Sequence, residues 1–252
     1  MAKKHRKRHS RRGYPVATLV VFESRRALLW QVFSETIRPL EPVKFVGKRE
    51  DLKALYAFHE KIVDALRPAL KEGIRSVILV SPPKMPYGNE FLVHVESHHL
   101  WLVKTKSPNA VSFGTLEAKV NDYDDVTILV QSAQFQAKIS EITGEEANQI
   151  LATLEKQLQK PDADKDAILY SLQDIERVIF ARDPSERHQP QYIIFTDEYL
   201  ASIQEKNRLQ RLLQIAKNKS VKIRVIKADT SAGERLMQFG GITWFKKETG
   251  TG

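Results

Sequence analysis

Apolar and polar positions along this chain follow two periods, and the switches between them mark the elements. Val16–Phe22 (VATLVVF) is a near-continuous, β-branched apolar run, and Ala27–Phe33 (ALLWQVF) is a second. The polar Glu23-Ser24-Arg25-Arg26 between them predicts a hairpin. Arg38–Pro42 contains two prolines and is excluded from a central strand, while Val43–Val46 is expected to pair briefly at an edge. Gly47-Lys48-Arg49 reads as a basic turn. The period then lengthens. Leu52, Leu55, Tyr56, His59, Ile62, Val63, Leu66 and Leu70 recur at helical spacing, predicting a helix over Glu50–Leu70 that stops at Gly73. Ser76–Val80 (SVILV) reads as a buried strand closed by Ser81-Pro82-Pro83. Asn89–Lys106 fits either period. A helix is expected there because one should follow the strand. Ala110–Phe113 reads as a short strand.

The second half repeats this alternation. Ile142–Leu158 predicts a helix opened by Thr143-Gly-Glu-Glu, whose acids suit the positive end of the helix dipole. Pro161–Asp164 is a break. Ala167–Phe180 predicts an amphipathic helix with Ile168, Leu172, Ile175, Val178 and Ile179 inward, and Arg182–Pro190 a polar loop. Tyr192–Phe195 is a buried strand, and Thr196-Asp197-Glu198 turns the chain. Tyr199-Leu200 lead to a helix using Leu209, Leu212, Leu213 and Ala216. Val221–Ile226 is the next strand. Ser231-Ala-Gly-Glu234 reads as a capping box, Gly240-Gly241 as a helix stop and Ile242–Lys246 as the last strand. The expected fold class is therefore α/β in two domains, with boundaries at 1–13 (a basic tail), 14–137 and 138–248.

Charge changes this picture at one end. The 252 residues carry 40 basic and 31 acidic side chains, a formal net charge of +9. Lys3, Lys4, Arg6, Lys7, Arg8, Arg11 and Arg12 account for seven of the cations, leaving 40 − 7 = 33 against 31 in the remainder. The body is nearly neutral and the cation is a tail. A run of this kind binds phosphate backbones without reading sequence and in a salt-dependent way. The chain has no cysteine, which removes disulfides, thiolate metal sites and cysteine nucleophiles. No apolar run approaches the length of a membrane span, so a cytoplasmic protein without membrane contact is expected.

Three groups of side chains offer candidate chemistry. His94, His98 and His99 suggest zinc, but no glutamate follows the first histidine as in a metalloprotease helix, and a third ligand has to come from elsewhere. His5 and His9 share a four-residue spacing in the tail. Asp122, Asp124 and Asp125 group carboxylates as two-metal sites do, but on a segment where Asn and Asp are expected for local backbone bonding. No metal and no cofactor are expected on this reading, and His59 reads as a histidine of the helix's apolar stripe.

The order of the C-terminal pieces resembles the C-terminal domain of the Pelota and archaeal–eukaryotic class-one release factor superfamily. Those pieces are the Ala167–Ile179 segment, the strand ending in Thr196-Asp197-Glu198-Tyr199-Leu200, the strand Val221–Ile226, the box Asp229–Glu234 and Gly240-Gly241-Ile242. The resemblance implies a small three-layer α/β domain similar to kink-turn-binding ribosomal proteins. Before it, Gly47-Lys48-Arg49, the long helix and Val77–Pro82 occupy the places of the family's ribonuclease-H-like central domain.

Two departures shape the functional expectation. The family's release factors hydrolyse peptidyl-tRNA with a Gly-Gly-Gln loop, and this sequence contains none. Only thirteen residues precede the first strand, so the family's N-terminal decoding domain is expected to be absent. The resemblance thus implies a non-catalytic ribosome-associated factor acting in rescue, quality control or hibernation. The tail (Lys3 to Arg12) is expected to meet ribosomal RNA, and Lys44, Lys48 and Arg49 to meet tRNA or the large subunit. A translational GTPase is the implied partner. The rival expectations are a peptidyl-tRNA hydrolase with a non-standard loop and a stand-alone binder of structured RNA.

Overall fold

The computed structural model describes residues 14–71, 74–103, 111–159, 168–181, 191–219 and 221–246. The basic tail, Gly73, the 161–164 break and the 182–190 loop lie outside the described residues. The chain divides into two compact units, Met1–Ile139 and Ser140–Gly252.

The first unit is built on the predicted hairpin, β1 (Pro15–Phe22) and β2 (Arg26–Phe33), in antiparallel register from Phe22↔Ala27 to Pro15↔Phe33. The short strands β3 (Ile37–Pro39) and β4 (Val43–Lys44) both pair with β2. The segment with two prolines therefore stays at the edge, where missing donors face no neighbour. Helix α1 (Leu52–Lys71) follows. Asp51 starts it by accepting from the N–H groups of Lys53 (3.0 Å) and Ala54 (3.4 Å). Strand β5 (Ser76–Ser81) then enters parallel to β1, as a helical crossover requires. The ambiguous segment is helical, as α2 (Tyr87–His98) and α3 (Leu100–Val103). Strand β6 (Ser112–Glu117) lies parallel to β5, giving the order β3-β2-β1-β5-β6. It begins later and runs further than the predicted Ala110–Phe113.

Alternation along the strands sorts the core. Val20, Phe22, Ala27, Leu29, Val77 and Leu79 pack with Phe58, Ile62, Val63 and Leu66 of α1 and with Phe91 and Val95 of α2. Leu19, Val21, Trp30, Ile78 and Val80, on alternate positions, are buried too. Each such side chain contributes roughly 1.5–3 kcal/mol of transfer free energy. The predicted α1 stripe is corrected at its first turn. Leu52 and Tyr56 are exposed, while Phe58 and Ala69 are buried. Helix α4 (Tyr123–Gln131) was missed. Its acidic start is a cap: Asp122 accepts from the N–H of Asp125, and Asp125 accepts from the backbone and side-chain amides of Asn121.

Helix α5 (Ala133–Leu158) begins well before the predicted Ile142, so Thr143-Gly-Glu-Glu lies inside it rather than at its start. The division between the units falls within this helix. In the second unit the predicted helix over Ala167–Phe180 is two elements, strand β7 (Ile168–Leu169) and α6 (Leu172–Phe180). Ser171 separates them as the N-cap, accepting from Asp174 N–H. Strand β8 (Gln191–Thr196) leads into α7 (Asp197–Ser202), a short helix where a turn was expected, capped by Thr196. Then come α8 (Lys206–Asn218), β9 (Lys222–Ile226), α9 (Ser231–Gln238) and β10 (Ile242–Lys246). The sheet order is β7-β10-β8-β9, with β8 and β9 parallel. Tyr192, Ile194 and Phe245 face α5 and α9, whereas Ile193, Phe195 and Trp244 face α6 and α8. This makes three layers. The cap of α9 is Thr230, not Ser231: its hydroxyl accepts from Gly233 N–H at 3.1 Å.

Candidate functional site

The basic turn is held in place from below. Gly47 has φ +126°, and a Cβ there would lie 2.8 Å from that of Ala54, so only glycine passes without strain. Arg49 then points inward. Its guanidinium donates to the carbonyls of Glu23 (3.0 Å) and Ser24 (3.4 Å), pairs with Glu90 at 3.2 Å, and lies 3.5 Å from the Tyr87 ring centroid. It therefore ties the hairpin turn to α2. Lys44 and Lys48 are exposed. The pairing of Arg26 with Lys44, and the bond from Phe45 N–H to Arg25 carbonyl, bring the β1–β2 turn beside them. Arg25, also exposed, joins Lys44 and Lys48 in one cationic edge. Sequence reading missed Arg25 because its contribution depends on strand pairing. The other candidate cations, Lys3, Lys4, Arg6, Lys7, Arg8, Arg11 and Arg12, lie outside the described residues.

A second constellation lies between α1 and α2. The Nε2 atoms of His94 and His99 both reach Oε1 of Glu60, at 3.0 and 2.7 Å. The two imidazoles are nearly buried, while Glu60 keeps a third of its side chain exposed. These three side chains bring donor atoms within 4.8 Å of one another and are the group among the described residues that could hold a metal ion. Spacing alone offered the histidines. The third partner arrives from α1, which no spacing rule within α2 could supply. Desolvation pushes the Glu60 carboxyl up, but hydrogen bonds and charge from His99 and His94 outweigh it, and the group titrates lower than usual. Burial lowers His94 against the raising effect of Glu60, and His98 and His99 add to the lowering. His59 is pushed down to about 4, first by burial, then by His94 and Arg49. His59 and His94 ring centroids are 5.0 Å apart. A groove of about 490 Å³ reaches the cluster at His94 and is lined also by Leu55, Tyr56, His59, Val93 and His98 among others.

The carboxylates grouped at Asp122, Asp124 and Asp125 serve as helix start and cap, as the local-bonding reading anticipates. No helix among the described residues is long and apolar enough to cross a membrane.

The first unit's hairpin, helix and parallel strands, followed by the three-layer second unit, define the fold shared by the central and C-terminal domains of Pelota-type proteins. The solved structures similar to this chain include an archaeal Pelota in a model of the ribosome-bound protein with ABCE1. It has a TM-score of 0.52 and 12% identity over 92% of this chain and 61% of that one. Dom34 of S. cerevisiae is similar at TM-score 0.47 and 18% identity, over 92% of this chain and 63% of its own. Pelota of Archaeoglobus fulgidus is similar at 0.42 and 14%, over 95% and 66%. This chain thus spans less than two thirds of the length of each. No protein-family model matches the chain, and no curated protein matches it.

Proposed function

We propose that this protein is a ribosome-associated factor of the Pelota and release factor type, docking through RNA contacts and performing no hydrolysis itself. The observation that carries the reading is the fold of the two units, similar to that of a ribosome-bound archaeal Pelota in a match covering 92% of the chain. Two sequence features support it. No Gly-Gly-Gln exists to position water on a peptidyl ester, and the place before α1 is taken by Val46-Gly47-Lys48-Arg49, where Arg49 is engaged in holding the fold. Seven cations in the tail and the edge formed by Arg25, Lys44 and Lys48 supply the phosphate contacts, to ribosomal RNA or tRNA. A translational GTPase is the partner class that the family resemblance implies, and the archaeal Pelota of similar fold is ribosome-bound together with ABCE1. The role is ribosome rescue, quality control or hibernation, in the cytoplasm.

Sucrose-gradient sedimentation of lysate at low salt is the test. The protein is expected to migrate with ribosomal particles, and to leave them when residues 1–12 are deleted. A protein that remains at the top of the gradient at low salt defeats the proposal. Release of peptide from peptidyl-tRNA on ribosomes by the purified chain defeats its non-catalytic part.

A further inference from the structure

We propose that Glu60, His94 and His99 form a binding site for a divalent transition metal, zinc above all, that clasps α1 to the corner between α2 and α3. Three independent features meet there. First, the donors converge: both imidazole Nε2 atoms already lie within 3.0 Å of one carboxylate oxygen, and all three donors fall within 4.8 Å of one another. A tetrahedral zinc with bonds of about 2.0–2.1 Å separates its ligands by roughly 3.3 Å, so the Glu60 oxygen needs to draw back from each imidazole by about half an ångström or less, while the two imidazole nitrogens, which lie within 4.8 Å of each other, settle to the same separation. Second, the site is prepared. His94 and His99 are held by the fold with 6% and 9% of their side chains exposed, and His99 is fixed as the residue closing α2 through its N–H to Val95. Little rotamer freedom remains to be lost on binding. Third, Nε2 of buried His59 has no hydrogen-bond partner, although its ring sits against that of His94 and lines the groove leading to the cluster. A water in the metal's fourth position, facing that groove, would supply one.

The donor set selects the ion. Two borderline imidazoles and one carboxylate suit zinc, cobalt or nickel, whereas magnesium and calcium prefer all-oxygen shells. Two neutral imidazoles and one carboxylate leave the bound ion with a net charge of +1. Binding requires the Nε2 protons to leave, so each imidazole carries its remaining proton on Nδ1. Three protein ligands leave a position open. The clasp joins α1 to α2, both of which pack on the same face of the first sheet, and it acts independently of any ribosome contact.

The test uses the full chain, stripped with a chelator and titrated with Zn²⁺ and Co²⁺. One equivalent of zinc is expected to bind. Cobalt should give the visible bands of a four-coordinate ion. Zinc at 100 times its dissociation constant should raise the first unit's melting temperature by on the order of 10 °C. Glu60→Gln and His99→Asn should each weaken binding by more than the roughly 10–100-fold that losing an outer partner costs. The double change His5→Ala/His9→Ala, which removes the histidine pair of the tail, should leave one equivalent bound. Stoichiometric binding that survives Glu60→Gln and His99→Asn but disappears with the tail pair overturns the proposal, as does an absence of stoichiometric binding. X-ray absorption at the zinc edge of the unaltered protein covers the case of variants that do not fold. Two imidazoles in the first shell are expected, and a shell without imidazole refutes the site.

Discussion

Replacing Gly233 by alanine tests the second unit at its tightest point. A Cβ there would stand 2.0 Å from the Lys227 carbonyl oxygen, 2.7 Å from Ala228 Cα and 2.8 Å from Lys227 carbonyl carbon, where ordinary contact starts at 3.4 Å. All three neighbours are backbone, so no side chain can swing aside. The oxygen is also anchored, accepting from Thr230 N–H at 3.2 Å and Thr230 hydroxyl at 2.7 Å. Relief requires the start of α9 to move by more than an ångström. That breaks the cap from Thr230 to Gly233 N–H, worth about 1 kcal/mol, and lifts the fully buried Ala232 and Leu236 off the sheet. Overpacking strain adds about 1–3 kcal/mol, and alanine's better helix propensity returns about 1 kcal/mol. The expected net loss is about 1–3 kcal/mol. Urea unfolding followed by circular dichroism measures it, with amide hydrogen exchange in β8 and β10 assigning the loss to the second unit. Gly144→Ala is the matched control. It lies inside α5 with nothing within 4 Å of the new Cβ, so alanine should stabilise by about 0.5–1 kcal/mol. A Gly233→Ala protein as stable as the parent refutes the close-approach reasoning.

Other consequences follow from the same geometry. Arg49→Ala removes two carbonyl bonds, the Glu90 pair and the Tyr87 stack, and should cost the first unit about 2–3 kcal/mol in chemical unfolding. Arg49→Lys should recover less than half of that, because an ammonium cannot serve those partners as a planar fork does. Thr230→Ala leaves the Gly233 N–H without its cap and should cost about 1 kcal/mol, read as a lower urea midpoint at unchanged slope. Reversing Arg25, Lys44 and Lys48 to glutamate should weaken ribosome or RNA binding measured by filter retention and flatten its salt dependence by roughly one unit per lost phosphate contact, while leaving the melting temperature nearly unchanged. Equal salt slopes for parent and triple variant would remove this edge from the interface.

Apolar runs and helical periods were enough to place β1, β2, α1, β5, α8, β9 and β10, because β1, β2 and β5 are buried on both faces and read as nearly continuous apolar runs, while α1 and α8 each bury one regular stripe. Local chemistry explains most of the misses. Asp122 and Ser171 are caps, and reading them as turn or mid-helix residues hid the start of α4 and merged β7 with α6 into one helix. The polar Thr143-Gly-Glu-Glu passage imitated a helix start inside α5, since a helix with buried residues before and after it, Ile139 and Ile142 then Ala147 and Leu151, carries such residues without ending. The order of elements, the two-unit α/β class and the cationic tail were legible in the chain, because all of them depend on neighbours in sequence. The tertiary structure alone decided the rest. Arg49 became a tie rather than a free cation because its partners lie 26 and 41 residues away. Arg25 joined Lys44 through strand pairing. Glu60, 34 and 39 residues from the histidines it meets, drew two of the three candidate histidines, His94 and His99 but not His98, into a three-donor cluster, because only packing α1 against α2 brings a carboxylate to two imidazoles.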